Sequence, residues 1–273
     1  MKFLRFAAVG MTAQREYVWS GSRSKHNTPI RHPDQARQKA GAWRDLPISA
    51  RTFSYTHVLN KSFSLRPMHL SKAFFIGDQN LEICMPPPDV IQQAYQHHKS
   101  AAYWAQVWPA AIGLCMFLQQ HKEYVADQKV LELAAGLGLP GLYAASLAKQ
   151  VTISDKEALA SDYVKQSAEQ LQLHNVIANP LDWKDAVTQP LPDVVLLSDV
   201  NYEPEVFAEL KKVIDHFLQH HIPVIISTPQ RLVAKPFVIT LLPFVVQQWN
   251  GTVTLNDTET DVSVFALKGA YMH

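Results

Sequence analysis

At 273 residues with 47% hydrophobic content, the chain is long enough to bury a substantial core, and one domain of about 200 residues plus extensions is the natural organisation. No apolar run reaches the ~18 residues of a membrane span, and two separated cysteines, Cys84 and Cys115, without a CxxC pair argue against a disulfide framework or a zinc site. The net charge of +1 hides an asymmetry: residues 1–72 hold 13 Lys/Arg against three acids, Glu16, Asp34 and Asp45, so the head is near +10 and the remainder near −9.

The head, residues 1–67, includes "SGSRSKHNTPIRHPDQARQKAGAWRD", which is polar, rich in breakers and short of apolar anchors, the composition of a segment that cannot offset its ordering entropy. It is expected to be mostly disordered. Three readings stand open for it: a flexible extension, an Arg- and Ser-rich targeting segment, or a nucleic-acid-binding arm. A secretory signal is not expected, because Arg5 breaks "FLRFAAVGM". Globular patterning begins at Met68, which could be a start site, and residues 68–273 are expected to form the folded domain.

From there strands and helices alternate. "KAFFIG" and "LEICMP" around "DQN" predict a hairpin ended by Pro86–Pro88, followed by a helix over 89–99 and a second with Pro109 in its first turn. "KVLEL" and "QVTISD" read as strands around a helix at 141–148. An amphipathic helix, "EALASDYVKQSAEQLQL", a strand near 176–181, the buried strand "DVVLLSD", the helix "EVFAELKKVIDHFLQHH" and the buried strand "PVIIST" follow. A helix over 231–242 and two strands, "FVVQQWNGTVTL" and "VSVFALKG", joined by polar "NDTETD", close the chain. Near-continuous Val/Ile/Leu runs suit the centre of a parallel sheet covered on both faces, so the predicted fold is α/β, Rossmann-like and doubly wound, with a C-terminal antiparallel pair and an N-terminal hairpin and helix.

The chemistry centres on "VLELAAGLGLPG", residues 130–141, where Gly136-x-Gly138-x-x-Gly141 joins a strand to a helix and Asp155 follows 19 positions later. By itself this spacing suits a dinucleotide such as NAD, or any ligand that must approach the main chain at a strand-to-helix turn. The histidine pairs His97–His98 and His220–His221 lack the i, i+4 spacing of a zinc motif, so no metal is expected. Ser227 stands in no nucleophile elbow, and the glycine turn lacks the Lys-Ser/Thr of a P-loop.

Four segments in one order carry a resemblance: "YWAQVWPAAIGLCMFL" at 103–118, the glycine turn with Glu132 in its strand, Asp155 with the later "LDW" at 181–183, and "SDVNYEP" at 198–204. Together they resemble the seven-strand S-adenosylmethionine-dependent methyltransferases, and within them the family 16 group that includes protein lysine methyltransferases. The resemblance covers about residues 72–269. It implies S-adenosyl-L-methionine as cofactor, held by Trp108, Glu132, Gly136, Gly138, Asp155, Asp182, Trp183 and Asp199. Glu132 would face the cofactor's amino group directly or through water, Asp155 the ribose hydroxyls, and Asp182 and Trp183 the adenine. Each has a structural alternative: an aromatic core stripe for Trp104 and Trp108, pairing with Lys129 or turn-capping for Glu132, helix-capping for Asp155, and packing for Trp183.

Asp199 and Tyr202, in the family's Asp-x-x-Tyr pattern, are the expected catalytic residues, Asp199 favouring a cation's approach, with Arg231 in "STPQR" a further contributor. The expected reaction is methylation of a protein lysine. A small-molecule or other protein acceptor, a non-catalytic binding protein and an NAD-dependent oxidoreductase remain alternatives. The chain is expected to be a cytoplasmic monomer acting on a protein, with no membrane partner and no nucleic-acid partner.

Overall fold

The computed structural model of the protein describes residues 70–97 and 99–269; the basic head 1–67, Met68 and His98 of the first histidine pair lie outside the described residues. Two strands, β1 (Leu70–Ile76) and β2 (Gln79–Met85), form an antiparallel hairpin around Gly77–Asp78. Helix α1 (Pro88–His97) follows, then a 3-10 helix over Lys99–Ala105 and α2 (Pro109–Gln120). The proline at the first position of α2 lacks only an N–H that would have had no helical partner.

Seven further strands make one sheet: β3 (Lys129–Leu133), β4 (Gln150–Asp155), β5 (Val176–Pro180), β6 (Val194–Ser198), β7 (Val224–Pro229), β8 (Val245–Leu255) and β9 (Thr258–Leu267). Their order is β5-β4-β3-β6-β7-β9-β8, parallel from β5 to β7, with β9 and β8 antiparallel. The chain leaves β3 toward one edge, then returns to place β6 on its other side. That reversal makes the carboxyl ends of β3 and β6 the crevice where a doubly wound sheet binds ligands.

Alternation along the strands builds a core on each face. In β6, Val194 and Leu196 pack with α2, α3 (Leu139–Ala145), α4 (Ala158–Gln170) and the hairpin, while Val195 and Leu197 face the core of α5 (Phe207–Gln219) and α6 (Lys235–Leu241). All four are almost wholly buried, each contributing about 1.5–3 kcal/mol of hydrophobic stabilisation. Helix α5 buries Leu210, Val213, Ile214, Phe217 and Leu218, the i, i+3, i+4, i+7, i+8 stripe of an amphipathic helix. Cys84 and Cys115 are both buried and free.

The structure departs from the expected element boundaries chiefly at the C-terminal hairpin. "NDTETD" is not a six-residue loop: only Asn256 and Asp257 turn, both with positive φ (50° and 58°), and Thr258 onward is already β9. A two-residue turn with left-handed residues matches the twist of the flanking strands, and the polar side chains are those of an exposed hairpin tip. The helix expected over 231–242 begins as a 3-10 turn at Leu232 and becomes α6 at Lys235. Among the described residues no helix is long and apolar enough to cross a membrane.

Candidate active site

A cavity opens at the crevice between β3 and β6, walled by the segments that follow β3, β4, β5 and β6 and by the stretch before α2. Counting the solvent at its open mouth, it encloses about 1130 Å³. On the β3 side the wall is the glycine turn. Gly138 has φ +69°, a left-handed conformation, and a Cβ there would stand 2.8 Å from Ile153 Cγ2, so a side chain would be both strained and crowded. Gly141 faces inward instead, where its bare N–H donates to Glu132 Oε2 at 2.7 Å.

That bond places Glu132 behind the turn and out of the cavity wall. Its side chain is fully buried, Oε1 has no hydrogen-bond partner among the described residues, and burial pushes the carboxyl up to about 8 despite the Gly141 N–H. Through that bond the carboxyl braces the turn.

Asp155, at the end of β4, lines the cavity. Its Oδ2 accepts the Gly136 N–H at 2.8 Å and its Oδ1 the Glu157 N–H at 3.0 Å. Burial pushes this carboxyl up and the two N–H groups pull it back, with a net upward direction. Each oxygen keeps a lone pair for a hydroxyl donor. Asp182 and Trp183 follow β5 in the wall, with Asp182 Oδ1 accepting the Lys184 N–H at 3.0 Å and so capping a short 3-10 helix.

The opposite wall comes from the stretch before α2 and the loop after β6. Trp108 precedes α2 in an extended conformation and donates its indole N–H to the Tyr103 carbonyl at 2.9 Å. Trp104, four residues earlier, is nearly buried and packs on Tyr163 with ring centroids 5.8 Å apart. The two tryptophans therefore do not share one helical face. Tyr103 lies edge-on to Trp108 and to Tyr202, at 6.0 and 5.6 Å between centroids.

These aromatic rings, with Asp199, Glu203 and Arg231, wall a second cavity, which encloses about 770 Å³ when its open mouth is counted and is by that measure the smaller. Asp199 directly follows β6 with φ +50°, an uncommon conformation for a residue with a side chain. Its carboxylate is buried, and Arg231 grips it through both nitrogens, Nη1 to Oδ1 at 2.7 Å and Nη2 to Oδ2 at 3.1 Å. Burial pushes Asp199 up and the guanidinium pulls it down, with a net upward direction. Asp199 thus meets an arriving cation already paired. Burial, with Glu203 and Tyr103 nearby, pushes the Tyr202 phenol up to about 12, so it keeps its proton at neutral pH.

Three members of this second cavity stood outside the expected site or at its margin. Tyr103 lies in the 3-10 helix before α2 and carried no pattern of its own in "YWAQVWP". Glu203 directly follows Tyr202 in "NYEP" and carried no pattern of its own. The pairing of Arg231 with Asp199 joins residues 32 apart in sequence, and it follows from register: Ser198 of β6 lies opposite Ser227 of β7, so the segments leaving those strands are neighbours.

The ionisable groups of the larger cavity discriminate between the ligands that the glycine turn alone admits. Asp155, Glu157, Asp182, Asp199 and Glu203 outnumber Lys156 and Lys184, an acidic wall that suits a cationic ligand and disfavours a pyrophosphate. A profile of the lysine methyltransferase family matches residues 90–241. The histone-arginine methyltransferase METTL23 of Rattus norvegicus is 33% identical over 138 residues, 48% of this chain and 61% of that protein, so less than two thirds of that relative's length is matched. The protein N-lysine methyltransferase METTL21A of Xenopus tropicalis is 31% identical over 174 residues, 62% of this chain and 75% of that protein. Among solved structures, the N-methyltransferase NodS from Bradyrhizobium japonicum aligns with a TM-score of 0.49 at 13% identity, covering 65% of this chain and 97% of that one. By sequence, then, the chain belongs to the lysine methyltransferase family, a family of S-adenosylmethionine-dependent enzymes.

Proposed function

We propose that the protein transfers a methyl group from S-adenosylmethionine to the side-chain amine of a lysine in a protein substrate. The observation that carries this reading is the shared wall: Tyr103, Trp108, Asp199, Tyr202 and Glu203 border both the glycine-turn cavity and the smaller one. A ligand in the first therefore ends where a ligand in the second begins, as a two-substrate transfer requires. The residues of the first cavity fit the cofactor: Asp155 has lone pairs for two ribose hydroxyls, Asp182 and Trp183 offer an acceptor and a ring for adenine, and the acidic wall suits a sulfonium. S-adenosylmethionine supplies an already activated methyl group.

What remains for the chain is to hold the acceptor nitrogen unprotonated and in line, away from water. An aqueous lysine, with a pKa near ~10.4, is almost wholly charged at neutral pH, so the ammonium must shed a proton before its lone pair can form the new N–C bond. Glu203, exposed at the mouth, is placed to meet the ammonium while water can still take the proton. Tyr202, kept as a phenol, can accept an amine N–H and leave the nitrogen lone pair free. Tyr103 and Trp108 give the lysine methylenes an apolar wall. The acidic charge of residues 73–273, near −9, draws a basic protein surface. The two free, buried thiols support a reducing, cytoplasmic setting.

Labelled-methyl transfer into a protein lysate, with mass spectrometry to place the mark, tests the reading. Methyllysine is the expected product. A mark on a metabolite or on glutamine overturns it, and the similarity to a histone-arginine methyltransferase makes methylarginine the alternative to look for.

A further inference from the structure

We propose that Arg231 sets the acceptor specificity of the smaller cavity: its guanidinium fills the two-point site that Asp199 would offer a substrate guanidinium, so the cavity admits an amine and turns away an arginine side chain. The inference rests on the methyltransferase reading above and assigns Arg231 a role within it. Of the residues that wall the smaller cavity, Arg231 is the one that the larger cavity does not share, so it belongs to the acceptor's side.

The geometry is that of a guanidinium receptor already in use. Two N–H groups of one planar fork meet the two oxygens of one carboxylate, at 2.7 and 3.1 Å, the arrangement in which arginine outperforms lysine. The Asp199 side chain is 6% exposed and that of Arg231 37%, so the carboxylate forms the floor and the cation lies over it toward solvent. An arriving guanidinium would have to displace Arg231 and remake the bonds it broke, with no net gain. If it entered without displacing Arg231, it would meet a fixed positive charge. The other carboxylate, Glu203, is exposed, where an ion pair contributes little.

An amine meets no such bar. A guanidinium keeps its charge at any physiological pH, whereas an ammonium can lose its proton and enter neutral. Once neutral it faces a charge-balanced Asp199–Arg231 pair and the rings of Tyr103, Trp108 and Tyr202, none of which requires a cation. The charged and titratable groups facing the acceptor are Arg231 after β7, Asp199, Tyr202 and Glu203 after β6, Tyr103 before α2, and Asp155 across the larger cavity.

The test uses the full chain, its Arg231→Ala and Arg231→Lys variants, and methylguanidinium as probe, with S-adenosylhomocysteine binding as the check that each variant is folded. Arg231→Ala should melt lower than wild type, and millimolar methylguanidinium should raise its Tm again by a few degrees while leaving wild type unmoved. Arg231→Lys should respond less, and adding Asp199→Asn to Arg231→Ala should abolish the response. A folded Arg231→Ala that ignores methylguanidinium, or a wild type that responds equally, overturns the inference. Should Arg231→Ala not fold, the response of Arg231→Lys decides.

The second arm takes the segment marked in the lysate and its lysine-to-arginine counterpart. Wild type should prefer lysine by about 10²-fold or more in kcat/KM, and Arg231→Ala should narrow that preference at least tenfold through the KM for the arginine peptide. Methylarginine as the wild-type product overturns the role of Arg231. No transfer to any protein sinks the functional reading instead, and the melting arm then decides what Arg231 holds.

Discussion

Two of the carboxylates that border the site are held in opposite ways. Asp155, at the end of β4, is fixed by backbone: the Gly136 and Glu157 N–H groups take one oxygen each. Asp199, directly after β6, is fixed by a side chain, the Arg231 fork. A backbone clamp leaves only when the turn itself unfolds, and its second lone pairs stay free for neutral hydroxyls. A side-chain clamp can be exchanged, neutralises the acid it holds, and is open to change by a single codon. The rigid arrangement suits a ligand common to every turnover, and the exchangeable one suits the half of the site that must choose an acceptor.

The sharpest way to break this contrast is Asp199→Asn. It keeps the shape but releases Arg231, and transfer should slow by about 10²-fold or more while affinity for S-adenosylhomocysteine stays at the wild-type value. A comparable fall in cofactor affinity would mean that the two acids are not divided between two ligands. Asp155→Ala is the converse. Calorimetry with S-adenosylhomocysteine should show a loss of ~1.5–3 kcal/mol, the range for hydrogen bonds to a charged acceptor, and wild-type affinity would remove Asp155 from the cofactor's contacts.

Glu132 sharpens the comparison as a third acid that touches no cavity. Its folded pKa is raised to about 8 from 4.5. Between those values the folded chain keeps a proton that the unfolded chain has released, so this group's contribution to stability is greatest at low pH, declines as pH rises through the window, and levels off above about 8. The slope is at most ~1.4 kcal/mol per pH unit. Glu132→Gln, which can still accept from Gly141, should flatten the decline in denaturant melts between pH 5 and pH 8 (roughly the window set by the two pKa values), and an unchanged profile would show that Glu132 is charged in the fold. The smallest effect is expected from removing residues 1–67. Every residue that walls either cavity lies between 103 and 231, so S-adenosylhomocysteine affinity should stay within error of the full chain. A loss would give the basic head a part in the site.

How much of this was legible in sequence depended on how local each cause was. The strand "VVLLS" and the helix "FAELKKVIDHFLQ" carry their burial pattern in consecutive residues, and both stand where periodicity put them. The same holds for the glycine turn and for Asp155, whose spacing to Gly136 is set by one βαβ unit. At the C-terminal hairpin, which stands as expected, the turn was taken as too long because polar composition describes an exposed hairpin tip as well as a loop, and only backbone conformation separates them. Glu132 was read from its place in the strand, yet which way its carboxyl turns depends on the Gly141 N–H nine residues later. The Asp199–Arg231 pair was beyond any local pattern, since it exists only once β6 and β7 lie side by side.

The shared wall also has a kinetic side. Five residues face both cavities, so whatever settles in one becomes part of the boundary of the other. Affinity for the first ligand is then a function of the second, and linkage makes that dependence reciprocal: if the cofactor tightens acceptor binding by some factor, the acceptor tightens cofactor binding by the same factor. Order of arrival, order of release and the pattern of inhibition by S-adenosylhomocysteine are consequences of that common boundary, and a substitution at Tyr103 or Tyr202 would register in the rate law before it registered in the fold.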